Sequence, residues 1–221
     1  GAYTVIVTDA YSCSIDSNIV VNEPNELYAI TSALESVSCF GATDGIIDID
    51  IFGGTGNYFI SWNNLIPDTN YLDSLPAGDY IYTIVDTGTT CPPLEDTLAI
   101  DEPLELEIID SLIINVLCHG DSTGEIHLTV TGGTSPYEYS IDNGVTYQPQ
   151  DYFNNLSAGS YTVIVRDING CLLNSPPYNI TEPSTVLAAG LTASNLLCFS
   201  DTGSIILTVN GGTPNYSFLW N

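Results

Sequence analysis

The residues of this chain that could do chemistry are its six cysteines, two histidines and a large excess of carboxylates. The cysteines form two series, Cys39, Cys118 and Cys198, then Cys13, Cys91 and Cys171, each recurring at 78 to 80 residues. Regular spacing of this kind in small domains points to disulfides and an oxidising compartment. Thiolate metal binding has less support, because there is no CxxC and the histidines, His119 and His127, lie in one stretch only. Carboxylates recur as well. Glu23, Glu102 and Glu182 each precede a proline, and Asp9, Asp86 and Asp167 each end a strand-like run. Hard oxygen ligands at such places suit Ca²⁺. No dense DxDxDG loop is present, so a solvated acidic surface is the preferred reading, Ca²⁺ the weaker one, and no other cofactor is implied. There is no Ser-His-Asp spacing, phosphate loop or HExxH. The Asp48/Asp50 pair becomes His127/Thr129 and Ile206/Thr208 at the aligned positions. The chain reads as a non-enzyme.

Composition narrows the partners. One basic residue, Arg166, stands against 27 Asp and Glu in 221 residues, a net charge of −26. No basic patch for a phosphate backbone or an anionic membrane surface can be assembled from that. No apolar run approaches the length of a membrane span. Methionine is absent, which reads as an internal or processed piece of a longer chain.

What must position these residues is a repeated β unit. Asp44 to Trp62 reads as two strands about a glycine turn. Ile47, Ile49 and Ile51 alternate with Asp48 and Asp50, Gly53-Gly54 breaks the run, and Tyr58, Ile60 and Trp62 alternate on the return. The block recurs at Gly124–Ile141 and Gly203–Trp220, with its glycine pairs at Gly53-Gly54, Gly132-Gly133 and Gly211-Gly212, an interval of 79 residues. The expected organisation is a C-terminal part of a repeat over 1–26, complete repeats over 27–104 and 105–184, and an N-terminal part over 185–221. Each Glu-Pro marks a strand end or boundary. A unit this small buries only about 60–65% of its unfolded surface.

Short strands with turn signals between them predict an all-β chain of tandem immunoglobulin-like (fibronectin-III/PKD-like) β-sandwiches. In Leu75–Tyr80 and Leu156–Tyr161, a Leu-x-Ala-Gly-x-Tyr element places Tyr80 and Tyr161, and Tyr3 by alignment, where such sandwiches turn a tyrosine hydroxyl back onto upstream backbone. Trp62, Ile141 and Trp220 share one position on the third strand. The exchange of Trp for Ile favours core packing over a carbohydrate platform. The cysteines leave two pairings open: within repeats (Cys39–Cys91, Cys118–Cys171), or between neighbours (Cys39–Cys171, the others pairing similarly or outside these residues).

Cys-Phe-Gly-x-x-Asp-Gly (39–45), the Gly-Gly-Thr-x-x-Tyr turn, Leu-x-Ala-Gly-x-Tyr, Asp-x-Asn-Gly-Cys (167–171) and Ile-x-Glu-Pro (100–103, 180–183) together resemble the SprB-type repeat of long cell-surface adhesins of gliding bacteria. The resemblance covers nearly the whole chain. It implies an extracellular, cell-surface location, a filamentous array that spaces and bears load, and a role in adhesion or gliding. The implied partners are neighbouring repeats, other filament chains, and surfaces or polysaccharide met through other regions. It carries over no catalytic residues. Two turns depart from the pattern, Thr87–Cys91 and Cys198–Gly203. Surface proteins of this kind also suggest O-glycosylation at Asp-Ser/Thr-apolar sites, here Ser74, Thr97 and Ser111. The rival class is a carbohydrate-binding accessory module of a secreted multidomain protein.

Overall fold

A computed structural model describes residues 1–63 and 68–220. Every regular element among them is a strand. The sequence places one or two short strands over 63–74, and residues 64–67 of that stretch lie outside the described residues. Two compact units divide the chain, Gly1–Glu102 and Pro103–Asn221. No helix of the described residues is long and apolar enough to cross a membrane.

The first unit opens with an antiparallel hairpin, β1 (Ala2–Thr8) and β2 (Ser14–Val20). A complete sandwich follows. Its strands are β3 (Asn25–Glu35), β4 (Gly45–Gly54), β5 (Tyr58–Trp62), β6 (Tyr71–Leu75), β7 (Gly78–Asp86) and β8 (Leu94–Ile100). They form two three-stranded sheets, β3-β4-β6 and β5-β7-β8. The period-2 pattern of β4 decides the layering: Ile47 and Ile49 are fully buried, while Asp50 faces solvent. They meet Ile60 and Trp62 of β5 and Tyr82 and Ile84 of β7 in one core. Trp62, 2% exposed, turns its indole N–H to the Thr69 carbonyl at 2.9 Å and lies edge-on to Tyr82. A buried indole keeps its donor satisfied in this way.

The second unit repeats the plan with β9 (Glu107–Ile114), β10 (Gly124–Thr131), β11 (Glu138–Ser140), β12 (Tyr152–Leu156), β13 (Gly159–Tyr161), β14 (Ile164–Arg166), β15 (Leu172–Asn174) and β16 (Tyr178–Ile180). The sheets are β12-β10-β9 and β11-β14-β15, with β13 paired to β16. The sequence from Tyr161 to Val165 predicts one unbroken strand, and the structure splits it into β13 and β14. Opposite the break lies Ser175-Pro176-Pro177, and proline has no N–H for a ladder. Ser175 bridges the gap: its N–H donates to the Val163 carbonyl at 2.8 Å, and its hydroxyl accepts from the Val163 N–H at 2.9 Å.

The C-terminal part holds the antiparallel pair β17 (Ala188–Ala193) and β18 (Ile205–Asn210). Tyr216–Trp220 has the sequence pattern of β5 but is not a strand.

Candidate functional site

The features built identically in successive repeats are the two ends of each sandwich. At one end the Gly-Gly turn folds β4 toward β5. Gly53 has φ +82°, and a Cβ there would lie 1.8 Å from the Glu26 carbonyl oxygen. Gly132 meets Glu105 at the same distance and Gly211 meets Val186 at 2.0 Å. Only glycine permits that approach. Gly54, Gly133 and Gly212 share the left-handed conformation.

Two side chains lock the turn. Tyr58 donates its hydroxyl to the Gly53 carbonyl, as Tyr137 does to Gly132 at 2.6 Å and Tyr216 to Gly211 at 2.7 Å. The constant Gly-to-Tyr spacing of five residues was the sequence signal for this contact, and the strand reading passed over it. The carboxylate at the end of the penultimate strand supplies the second lock. Asp86 accepts from the Thr55 N–H at 2.8 Å and from the Thr55 hydroxyl. Asp167 accepts from the Thr134 N–H at 2.8 Å and the Cys171 N–H at 2.8 Å. Asp86 and Asp167 are 5% and 4% exposed. The Thr55 hydroxyl, followed by backbone N–H donors, holds the Asp86 carboxyl below the ordinary carboxylate range. Asp9, exposed, accepts from Tyr11 and Cys13 within its own turn.

The opposite end is closed by the Glu-Pro glutamates. Glu102 accepts from the Gly41 N–H at 3.0 Å, and Glu182 from the Gly120 N–H at 2.6 Å. His119 adds a 2.8 Å contact from Nδ1 to the Pro183 carbonyl. Glu23 is exposed at the entry to the first complete repeat. The six carboxylates considered for Ca²⁺ are therefore divided: Asp86 and Glu102 serve opposite ends of one sandwich, and each is engaged with backbone N–H groups. Among the described residues no group of three or more His, Cys, Asp or Glu could hold a metal ion.

The tyrosines of Leu-x-Ala-Gly-x-Tyr reach back four residues. Tyr80 donates to the Pro76 carbonyl at 2.8 Å and Tyr161 to Ser157 at 2.9 Å. Tyr3 is 59% exposed, and the residue four places before it would precede residue 1. Of the core trio on the third strand, Trp62 is buried and Ile141 is half-buried against the second core. Trp220 is 60% exposed, and among the described residues no strand pairs with Tyr216–Trp220 as β7 pairs with β5.

Cys39 and Cys171 are disulfide-bonded, whereas Cys13, Cys91, Cys118 and Cys198 are exposed free thiols. The within-repeat pairs Cys39–Cys91 and Cys118–Cys171 are thereby corrected, and topology gives the reason. Cys39 lies in the loop whose Val37 N–H bonds to Asp101 beyond the end of β8. Cys91 lies before the start of β8, roughly 20 Å away along the strand, and a disulfide needs Cα atoms within about 7 Å. Cys118 and Cys171 are separated in the same way, Val116 bonding to Thr181 at one end and Cys171 to Asp167 at the other.

Ser74, with φ 55°, and Thr97 are exposed on strands; Ser111 is half-buried. The sole arginine is occupied as well. Arg166 pairs with Glu138 at 2.5 Å and stacks 4.0 Å over the Tyr147 ring. Exposed aromatics on the complete repeats include Tyr28 and Phe52, stacked with ring centroids 5.3 Å apart. Nothing in these arrangements joins a nucleophile to a base.

The SprB repeat family model matches the chain at three places, residues 31–65, 113–146 and 190–221. No curated protein matches it. Among solved structures, domains 1–6 of the surface-layer protein SbsC align with 95% of this chain and 44% of that one, at 12% identity and TM-score 0.31. The chain thus spans under half the length of that structure. Immunoglobulin domains 1–5 of Sidekick-1 align with 96% and 53%, at 10% identity and TM-score 0.38. A C-terminal 282-residue fragment of intimin, solved with the intimin-binding domain of its translocated receptor, aligns with 76% and 67%, at 14% identity and TM-score 0.34.

Proposed function

We propose that this chain, which carries the SprB repeat at three places along its length, is a stretch of a bacterial cell-surface array whose work is mechanical. It spaces a more distal adhesive region from the cell and bears load in adhesion or gliding. One observation carries the reading: what recurs from repeat to repeat is the hardware of the sandwich ends. The Tyr–Gly and Asp–Thr locks and the Glu–Gly clamp recur, while the solvent-facing side chains of β4 and β10 change from Asp48 to His127. Selection on a shared ligand site would leave the opposite record.

Each complete repeat is entered at the Gly-Gly end, where Asn25 pairs with Gly54, and left at the other end through Ile100, which pairs with Gly78. Successive repeats therefore add length, about 35–40 Å each from strand rise plus loops. In this reading the disulfide joins neighbouring repeats as Cys39–Cys171, and Ser74 and Thr97 are the better placed candidates for glycosylation. Alkylation before reduction is expected to label Cys13, Cys91, Cys118 and Cys198 and to spare Cys39 and Cys171. Native material sheared from cells and imaged by cryo-electron or atomic force microscopy is expected to show beaded threads with that spacing. Short particles of a few beads would defeat the filament.

The second reading, a carbohydrate-binding module, is favoured by the exposed Tyr28–Phe52 stack. Calorimetric titration with surface polysaccharides tests it. Binding lost in Phe52→Ala supports that reading, and absence of heat removes it.

A further inference from the structure

On the outer face of its β3-β4-β6 sheet the first complete repeat departs from the second. Phe52, Asp50 and Asp48 share this face, since Ile47 and Ile49 take the core side of β4. Phe52 lies opposite Tyr28 and Asp50 opposite Ile30 across the β3–β4 ladder, and Asp48 lies opposite Tyr71 of β6. Tyr28 and Phe52 stack with their rings 19° from parallel, yet they stay 48% and 42% exposed. Ile30 and Tyr71 are exposed beside them. Three rings and an isoleucine on one solvent-facing sheet surface make an apolar patch of the kind that marks an interaction site. At the same rungs the second repeat has Glu107 opposite Thr131, Asp110 opposite Thr129, and Leu112 opposite His127. The Glu107–Thr131 rung is exposed too, and that repeat has a complete repeat before it in the chain.

The polar groups of the face select its partner. A carboxylate accepts hydrogen bonds and donates none. The Asp50 carboxylate is exposed and has no hydrogen-bond partner among the described residues. The neighbouring amide, Asn70, spends its N–H groups on the Ile49 carbonyl at 2.9 Å and on Asp48 at 3.5 Å. The whole unit Gly1–Glu102 contains no lysine, arginine or histidine. A neutral sugar asks its site for donors as well as acceptors, whereas a guanidinium has donors only. It also stacks on aromatic rings while it pairs with a carboxylate. The chain shows that arrangement once, where Arg166 lies 4.0 Å over the Tyr147 ring and pairs with Glu138. Phe52 and Asp50, alternate residues of one strand, present a ring and a carboxylate about 7 Å apart. A second copy is poorly suited to supply the cation. Its one arginine is engaged, both its histidines contact glutamates, and its net charge of −26 repels another copy.

We propose that the outer face of the β3-β4-β6 sheet in the first complete repeat docks an arginine-bearing segment of another protein. A guanidinium of that segment lies over the Tyr28–Phe52 stack and pairs with Asp50, and a second basic side chain further along the segment meets Asp48. Ile30 and Tyr71 exclude water around the pair, which strengthens it. The surface belongs to this repeat alone, so the array bears individual docking points on an otherwise recurring frame. It stands independently of the mechanical role.

Isothermal titration calorimetry of the 221-residue chain at about 0.15 M salt tests this. One probe is a short peptide alternating arginine with serine, which when extended spaces its guanidinium-bearing residues about 7 Å apart. The other is the same peptide with citrulline, uncharged and of like shape, in place of arginine. The arginine peptide is expected to bind, and the citrulline peptide to bind at least about tenfold more weakly. Phe52→Thr installs the residue of the second repeat and leaves the charge unchanged. It is expected to weaken the arginine peptide at least about tenfold, and Tyr28→Thr, which removes the other half of the stack, by a similar factor. Asp50→Asn is expected to cost about fivefold, against less than about twofold for Asp96→Asn, the same charge loss on the opposite sheet. Hydrogen-exchange protection over Ile47–Ile49 checks that each variant is folded. Four results overturn the assignment: no binding of the arginine peptide, equal binding of the citrulline peptide, wild-type affinity in both Phe52→Thr and Tyr28→Thr, or equal losses in Asp50→Asn and Asp96→Asn. A neutral polysaccharide that binds in a Phe52-dependent way while the arginine peptide does not would give the face to a sugar instead.

Discussion

Tyr58–Trp62 and Tyr216–Trp220 carry the same turn, the same tyrosine lock and the same terminal tryptophan, yet one is a strand with its tryptophan buried and the other is neither. The difference lies outside both segments, in the presence of β7. Alternating side chains make a segment able to be a strand, and a partner with matching hydrogen-bond register makes it one. The Gly-Gly turn behaves differently. It is formed in all three places, because its determinants, positive φ and a tyrosine five residues on, are local.

The largest effect that would break this comparison is in the core. Trp62→Ala is expected to destabilise the first repeat by about 3–5 kcal/mol, the range for a buried aromatic truncation. Trp220→Ala is expected to change stability by less than about 0.5 kcal/mol. Denaturation followed by regional hydrogen exchange separates the two, and equal effects would mean that Trp220 has a core of its own. Gly53→Ala comes next, at about 1–3 kcal/mol for a strained left-handed residue forced against the Glu26 carbonyl. Gly132→Ala is expected to match it in the second repeat, reported by loss of exchange protection there. Removing the hydroxyl in Tyr137→Phe is expected to cost about 0.5–1.5 kcal/mol, read as a shift in the denaturation midpoint of the second repeat.

The smallest effect distinguishes the two complete repeats by acid. Asp142 follows the core position of the second repeat; the aligned residue in the first is Asn63, which does not titrate. Thr146, through its hydroxyl and then its N–H, and the Ser140 hydroxyl lower the Asp142 carboxyl from 3.8 to about 2. The folded state binds this proton less readily than the unfolded state. Its contribution is therefore complete above about pH 4 and is lost as pH falls toward about 2. Asp142→Asn is expected to remove that decline from the second repeat and leave the first unchanged, as measured by urea midpoints across the window. A decline that persists in the variant would assign it to other carboxylates.

Much of this was legible in the sequence for physical reasons. The isoleucine alternation of β4, the buried Trp62 and the glycines of the turn each depend on a few neighbouring residues. The split of the penultimate strand into β13 and β14 was not legible, because its cause, Ser175-Pro176-Pro177, lies on the opposing strand. The role of the strand-end aspartates in the turn was not legible either, because their donors lie some thirty residues away (Thr55 for Asp86, Thr134 for Asp167), and a sequence displays no unmet N–H. The disulfide state likewise turns on which end of a sandwich each loop occupies, which follows only from strand direction.

The solitary arginine has a consequence of another kind. A trypsin-like protease, which cuts after lysine or arginine, finds a single candidate bond in all 221 residues, Arg166–Asp167. The fold withholds it. Arg166 sits in β14, paired on both sides by β11 and β15, with its side chain held by Glu138 and Tyr147. Asp167, on the other side of the bond, has both carboxylate oxygens tied to the turn. A protein built of such units could be bathed in digestive enzymes of that specificity and offer them almost nothing to cut.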